Sequence, residues 1–240
     1  MVEIHPSAIV EPSVQLGMNV HVGAFTVIKG RVAIGDNTFI SSHVSIGEEA
    51  EHSVEKWELH PRHYNGRIHI GTNVVLREFV TVHQPVKDVT HIGDDAYIMG
   101  RSHISHDMYI EDQAVISNGT VLGGYTRVMR GANLGICCCT HQFTTIGAYA
   151  MIAANATVVK DVPPLATYIP QKELTLNIYA IRKFGLPLIG QTLADVAISP
   201  FYQKLLDEWR TRRHPERSIY GQERPYGYRF QTSRGPVSRH

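Results

Sequence analysis

The chain has 240 residues, of which 43% are hydrophobic and 19% charged, with a formal net charge of +1. It is long enough to bury a sizeable core, and no whole-chain field points to nucleic acid or to a membrane surface. Charge is uneven: residues 1–181 carry 12 Lys/Arg against 17 Asp/Glu, whereas 182–240 carry 11 against 5.

The N-terminus, Met1-Val2-Glu3-Ile4-His5-Pro6, has no basic stretch followed by an apolar one, so no signal peptide is read. No apolar run approaches the ~18 residues that span a bilayer. All three cysteines are consecutive, Cys137 to Cys139. That is not a disulfide framework and points to a reducing, cytoplasmic setting.

From Ile4 an apolar residue returns every sixth position: Val10, Leu16, Val22, Ile28, Ile34, Ile40 and Ile46. After an interruption come Ile70, Leu76 and Val82, and after a four-residue offset an unbroken run from Ile92 to Val158 in which only Thr140 is not Ile, Leu or Val. A second column of small or β-branched residues follows four positions later, as in Ala8, Val14, Val20, Thr26, Val32 and Cys138. A helix would need spacing near 3.6 and an alternating strand spacing of two. Period six fits short flat strands joined by tight turns. Three hexads make a triangular coil of 18 residues, and coils stack about 4.8 Å apart in a solenoid. Cys138, in an inward column, reads as a small core residue.

Residues 48–67, with Trp57, three His and several charges, form a long loop excursion of the kind that often carries function. A smaller bulge is expected at 86–91. Past Pro164 the period stops. Glu173 to Phe184 reads as a helix stopped by Gly185 and Pro187, and Ser199-Pro200 opens another helix through about Arg213. Residues 215–240, rich in Gly, Pro, Arg and Tyr, are expected to be poorly ordered or dependent on a partner. The expected organisation is a β-helix domain at 1–165, with its excursion at 48–67, and a short helical region with an extended tail at 166–240.

In a solenoid, residues 18 apart stack on adjacent coils. His106, Gly124 and Gln142 therefore share one column; Ser105, Gly123 and His141 share the next, joined by His83 if the small bulge loops out. Asp107, Tyr125 and Phe143 form a third. A cluster of His83, His103, His106 and His141 around two glycines suits general-base acyl transfer. A near-neutral imidazole takes a proton, Asp107 can orient it, and the Gly124 N–H can hold a tetrahedral oxyanion.

His103-Ile-Ser-His106-Asp107, Val121-Leu-Gly-Gly124, Thr140-His-Gln-Phe143, Ile146-Gly-Ala148, Asp161-Val-Pro-Pro164 and Asn177-Ile-Tyr-Ala-Ile-Arg-Lys-Phe-Gly185 together resemble the UDP-N-acetylglucosamine acyltransferases that begin lipid A synthesis. The resemblance implies a left-handed parallel β-helix, mainly β, with a small α-helical C-terminal region. It implies a cytoplasmic homotrimer that moves a 3-hydroxyacyl group from acyl carrier protein to a UDP-linked sugar, with no cofactor and no metal. His106 would be the base, Asp107 its partner and Gly124 the oxyanion donor. His83, His103, Tyr125, His141, Gln142 and Ala154 would line the substrate site, and Arg182 and Lys183 would meet the carrier protein. The departures touch recognition: Tyr125 replaces a His, His83-Gln84-Pro85 replaces His-Arg-Gly, Ala154 replaces an acyl-groove glycine, and the loop after Ile46-Gly47-Glu48 lacks the family's Gln-Asp-Leu-Lys segment.

Three other readings are weighed. One is a related N- or O-acyltransferase acting on another nucleotide (amino) sugar with acyl carrier protein or coenzyme A. A second is a zinc enzyme like the γ-class carbonic anhydrases, with His103 and His106 as a ligand pair three apart. The third is a scaffold without catalysis.

Overall fold

The computed structural model describes residues 1–51 and 66–214. Nearly every apolar residue of the six-residue ruler ends a short strand, usually of two residues: Ile4, Val10 and Leu16 in the first coil, Ile98, Ile104 and Ile110 further on; Ile46 and Val82 lie within theirs. The strands form three parallel sheets, one per face of a prism. The first face runs in ten strands from Glu3–Ile4 to Thr175–Leu176, the second in eight from Ile9–Val10 to Thr157–Val158, the third in seven from Gln15–Leu16 to Thr145–Ile146. Register follows the 18-residue step, as in Ile98 with Ile116 and Ile116 with Leu134.

The core is the interior of this prism. Val22, Ile28, Ile40 and the apolar column from Ile92 to Val158 are almost wholly buried, and the small column fills the space between them. Inward threonines are satisfied by turn carbonyls: Thr26 donates to Ser41 and Thr38 to Gly71, at 2.8 and 2.9 Å. Thr140, the one break in the ruler, lies inside, with its hydroxyl 3.0 Å from that of Thr126. Cys138 is a core residue, and burial pushes its thiol up to about 11. The ruler weakens only in the first coil, where Ile4 is 44% exposed because no preceding coil covers it.

Two insertions leave the edge between the second and third faces. Ile34 pairs with Ile70 across the first, and Ile70 with Ile92 across the second. The smaller excursion lies at 84–88 rather than 86–91, because Val89–Ile92 is a strand laddered to Arg67–Ile70. Residues 52–65, most of the larger excursion, lie outside the described residues.

Beyond Pro164 the solenoid gains one more parallel strand, Ala166–Tyr168 against Met151–Ile152. Thr175–Leu176 folds back antiparallel onto it. That pairing claims the first half of the helix expected at 173–184, so helix α1 spans only Ile178–Lys183, capped by the Asn177 side chain on the Ala180 N–H. A short helix α2, Leu193–Val196, was not anticipated; its signal is the Thr192/Asp195 capping box. Helix α3 spans Pro200–Arg212 with Ser199 at its N-cap. It lies back along the solenoid, with Arg130 on Glu208 at 2.7 Å, Arg212 on Glu111 at 2.8 Å and Arg213 on Asp161 at 2.6 Å. The tail at 215–240 lies outside the described residues. Among the described residues no helix is long and apolar enough to cross a membrane.

Candidate active site

The turns between the second and third faces carry most of the chemistry-bearing residues. His103–Ile104 is a second-face strand, and the turn after it holds Ser105, His106 and Asp107. His103 pairs with Val121, so the next coil sets Gly123 and Gly124 beneath that turn.

His106 Nδ1 lies 2.9 Å from Asp107 Oδ2, and both side chains are less than 10% exposed. A carboxylate only accepts, so Nδ1 carries a proton. Asp107, at φ 54°, has left-handed backbone. Its own N–H donates to the Thr90 hydroxyl at 3.1 Å. Its carboxylate accepts the N–H groups of Val86, Lys87 and Asp88 at 2.8, 2.9 and 3.4 Å. The four-residue insertion is thus a cradle for this one carboxylate. Burial pushes the Asp107 carboxyl up, but the His106 hydrogen bond and those backbone donors outweigh it and hold the group below the ordinary range.

Gly124 lies against the imidazole. A Cβ there would fall 2.6 Å from both Cε1 and Nε2 of His106, so only glycine fits. The neighbouring Gly123 N–H is taken by the Thr140 carbonyl and hydroxyl, at 3.2 and 3.3 Å. Among the described residues the buried Gly124 N–H has no acceptor. His106, Asp107 and the Gly124 N–H are therefore adjacent.

His83 and His103 extend the cluster, their rings edge to face at 4.9 Å. His83 Nδ1 donates to the Glu49 carbonyl at 2.7 Å, and His103 Nδ1 lies 2.9 Å from the Thr81 hydroxyl. Burial lowers the His103 imidazole, helped by His83 and His106 and opposed by Glu51. Tyr125 presents its ring edge-on to His106 at 5.2 Å and stacks on Phe143 at 4.7 Å, with the Lys87 ammonium 5.2 Å above it.

Other expected site residues stand apart. His141 and Gln142 are exposed on the next coil, with His141 Nδ1 turned to the Gln142 carbonyl at 3.1 Å. Ala154 follows the first-face strand Met151–Ile152, so it lies on a different edge of the prism from His106. Arg182 and Lys183 are exposed in the last turn of α1. His103 and His106 do not form a metal-ligand pair: His106 belongs to no group of potential ligands among the described residues, whereas His103 does, with Glu51 and His83.

Sequence reading missed Glu51, the Val86–Asp88 cradle and His214. The last sits at the end of α3 with its ring 4.5 Å from Phe143 and 5.6 Å from Tyr125. Nothing local signals it, because its place depends on α3 folding back. The cradle had a signal, since the register offset fixes an insertion on the same edge one full coil before Asp107.

The model of the family described as bacterial transferase hexapeptide (six repeats) matches residues 14–48. The acyl-[acyl-carrier-protein]–UDP-N-acetylglucosamine O-acyltransferase of Herminiimonas arsenicoxydans is 33% identical over 186 residues, 68% of each chain. The enzyme of that name from Stutzerimonas stutzeri is 32% identical over 205 residues, 76% of this chain and 77% of the relative. The crystal structure of UDP-N-acetylglucosamine O-acyltransferase from Moraxella catarrhalis superposes with a TM-score of 0.62 at 27% identity, over 87% of this chain and 96% of that one. The shared architecture is the left-handed parallel β-helix. Six-residue ruler, fold and extent of identity converge, and the chain belongs to the acyl-[acyl-carrier-protein]–UDP-N-acetylglucosamine O-acyltransferase family.

Proposed function

We propose that this protein transfers a 3-hydroxyacyl group from acyl carrier protein to a hydroxyl of a UDP-N-acetylglucosamine-type acceptor, with His106 as general base. The observation that carries the reading is the His106 ring, oriented by Asp107, packed against Gly124, whose N–H has no acceptor among the described residues. His106 Nε2 takes the proton of the acceptor hydroxyl as its oxygen attacks the thioester carbonyl. The Gly124 N–H receives the oxyanion, which needs no reorganisation because the donor is already fixed. Collapse forms the ester and expels the carrier thiolate, which takes the proton back from His106. Asp107 holds the imidazole in the Nδ1–H tautomer and stabilises the imidazolium.

His83, His103, Tyr125, His141 and Gln142 bind acceptor or acyl chain in this reading. Ala154, on another edge, reaches a His106 site from a second copy of the chain, as a homotrimer with sites between subunits provides. Arg182 and Lys183, exposed cations, suit an acidic carrier protein. The reading includes a cytoplasmic location and no resident cofactor for the transfer step. A related acyltransferase on another nucleotide amino sugar, using carrier protein or coenzyme A, is favoured by one feature. Tyr125, under Lys87 and beside His214, gives the site a stacked aromatic wall where the family pattern has a His.

The test is mass analysis of product after incubation with UDP-N-acetylglucosamine and 3-hydroxyacyl carrier protein. An O-acylated nucleotide sugar is expected. Turnover only with an amino-sugar nucleotide selects the second reading, and no acylated product from any 3-hydroxyacyl donor overturns the first.

A further inference from the structure

Glu51, His83 and His103 place a carboxylate oxygen and two ring nitrogens within 4.8 Å of one another. His103 Nε2 lies 3.4 Å from Glu51 Oε2. Bonds of 2.0–2.1 Å in tetrahedral geometry put adjacent ligand atoms about 3.4 Å apart, so this pair already has the separation of two ligands on one ion. The imidazoles are also set as metal-binding imidazoles are. The second nitrogen of each is held by a protein oxygen, His83 by the Glu49 carbonyl and His103 by the Thr81 hydroxyl. Such outer contacts fix ring orientation and turn Nε2 inward. His83 is buried and His103 half-buried, so the nitrogens do not face open solvent.

We propose that Glu51, His83 and His103 form a binding site for one divalent transition-metal ion, Zn²⁺ in preference to Mg²⁺, beside His106. Two imidazoles and one carboxylate match zinc and exclude a hard ion that demands oxygen ligands. Three protein ligands leave a coordination position open. The site stands on its own geometry, whatever acceptor the protein acylates.

The experiment is calorimetric titration of the full chain, stripped by chelator, with Zn²⁺ and separately with Mg²⁺. A Cys137→Ser/Cys139→Ser chain removes thiolate binding, and His91→Ala serves as a control, because His91 stacks on His69 at 5.1 Å in a separate pair. One Zn²⁺ per chain is expected in all three proteins, with no uptake of Mg²⁺. His83→Ala and His103→Ala should each weaken binding at least as much as the ~10–100-fold typical of a lost outer-shell partner, and Thr81→Val by about 10-fold. His103→Gln keeps the side-chain shape and should lose zinc while melting as the parent does. No saturable uptake overturns the site, as does uptake that vanishes with the cysteines or survives both histidine variants. The readout involves no acyl transfer, so its failure is separate from failure of the acylation assay.

Discussion

Two edges of the same prism use aspartate differently. Between the third and first faces, Asp36, Asp94 and Asp112 each accept an N–H from the coil before: Met18 N–H at 2.7 Å, Thr72 N–H at 2.7 Å and Asp94 N–H at 3.0 Å. These carboxylates lace coil to coil and point at nothing reactive. Between the second and third faces, Asp107 also accepts backbone N–H groups, but they come from the 84–88 insertion and leave one oxygen aimed at His106. Where the register is unbroken an edge carboxylate is structural. Where the register is interrupted, extra backbone turns the same residue type into an orienting group.

Substitutions sharpen that contrast in order of size. His106→Ala should lower kcat by ~10²–10⁴-fold with the fold intact, read by acylation rate and by circular dichroism; a rate near wild type would remove His106 as base. Gly124→Ala should cost nearly as much activity, because the methyl and the imidazole cannot share the space; overpacking adds about 1–3 kcal/mol of destabilisation. A loss of activity with a ring that nuclear magnetic resonance shows unmoved would contradict that cause. Asp94→Asn, on the other edge, should cost about 0.5–1.5 kcal/mol in denaturant unfolding and leave kcat unchanged; a changed kcat would erase the distinction between the edges.

The smallest effect is in pH. Burial, helped by His69, holds His91 below its ordinary value. The folded protein thus binds fewer protons here than the unfolded chain, so this contribution is full above about pH 6.5 and is lost as pH falls below it. Asp107, lowered as well, adds a later loss below about pH 3.9. Melting temperature against pH should bend first near 6.5, where the lowered His91 and His103 both act, and His91→Phe should shrink that bend without moving the later one.

Much of this was legible in the sequence, for a physical reason. A solenoid makes spatial neighbours of residues a fixed count apart, so the ruler gave faces, core and the His106–Gly124 column together. What it could not give depends on chain that leaves the period. The small insertion was misplaced because the Val89–Ile92 ladder is set by pairing with Arg67–Ile70 across the large excursion. Helix α1 was drawn too long because Thr175–Leu176 finds a strand partner that no local propensity announces. Glu51 joins His103 only because the chain bends back after Glu48, and His214 reaches Phe143 only through the ion pairs that dock α3.

His106 and Gly124 come from consecutive coils, and neither coil holds a site alone. At the level of the gene, this makes the stretch between them intolerant of any length change that the solenoid must absorb within its register. Six codons added between residues 107 and 123 would rotate the glycine to another edge, although every strand could still find a partner. Eighteen codons added there would restore every face yet lift Gly124 one storey, about 4.8 Å, from its imidazole. Outside that window whole turns can be gained or lost with the pair undisturbed.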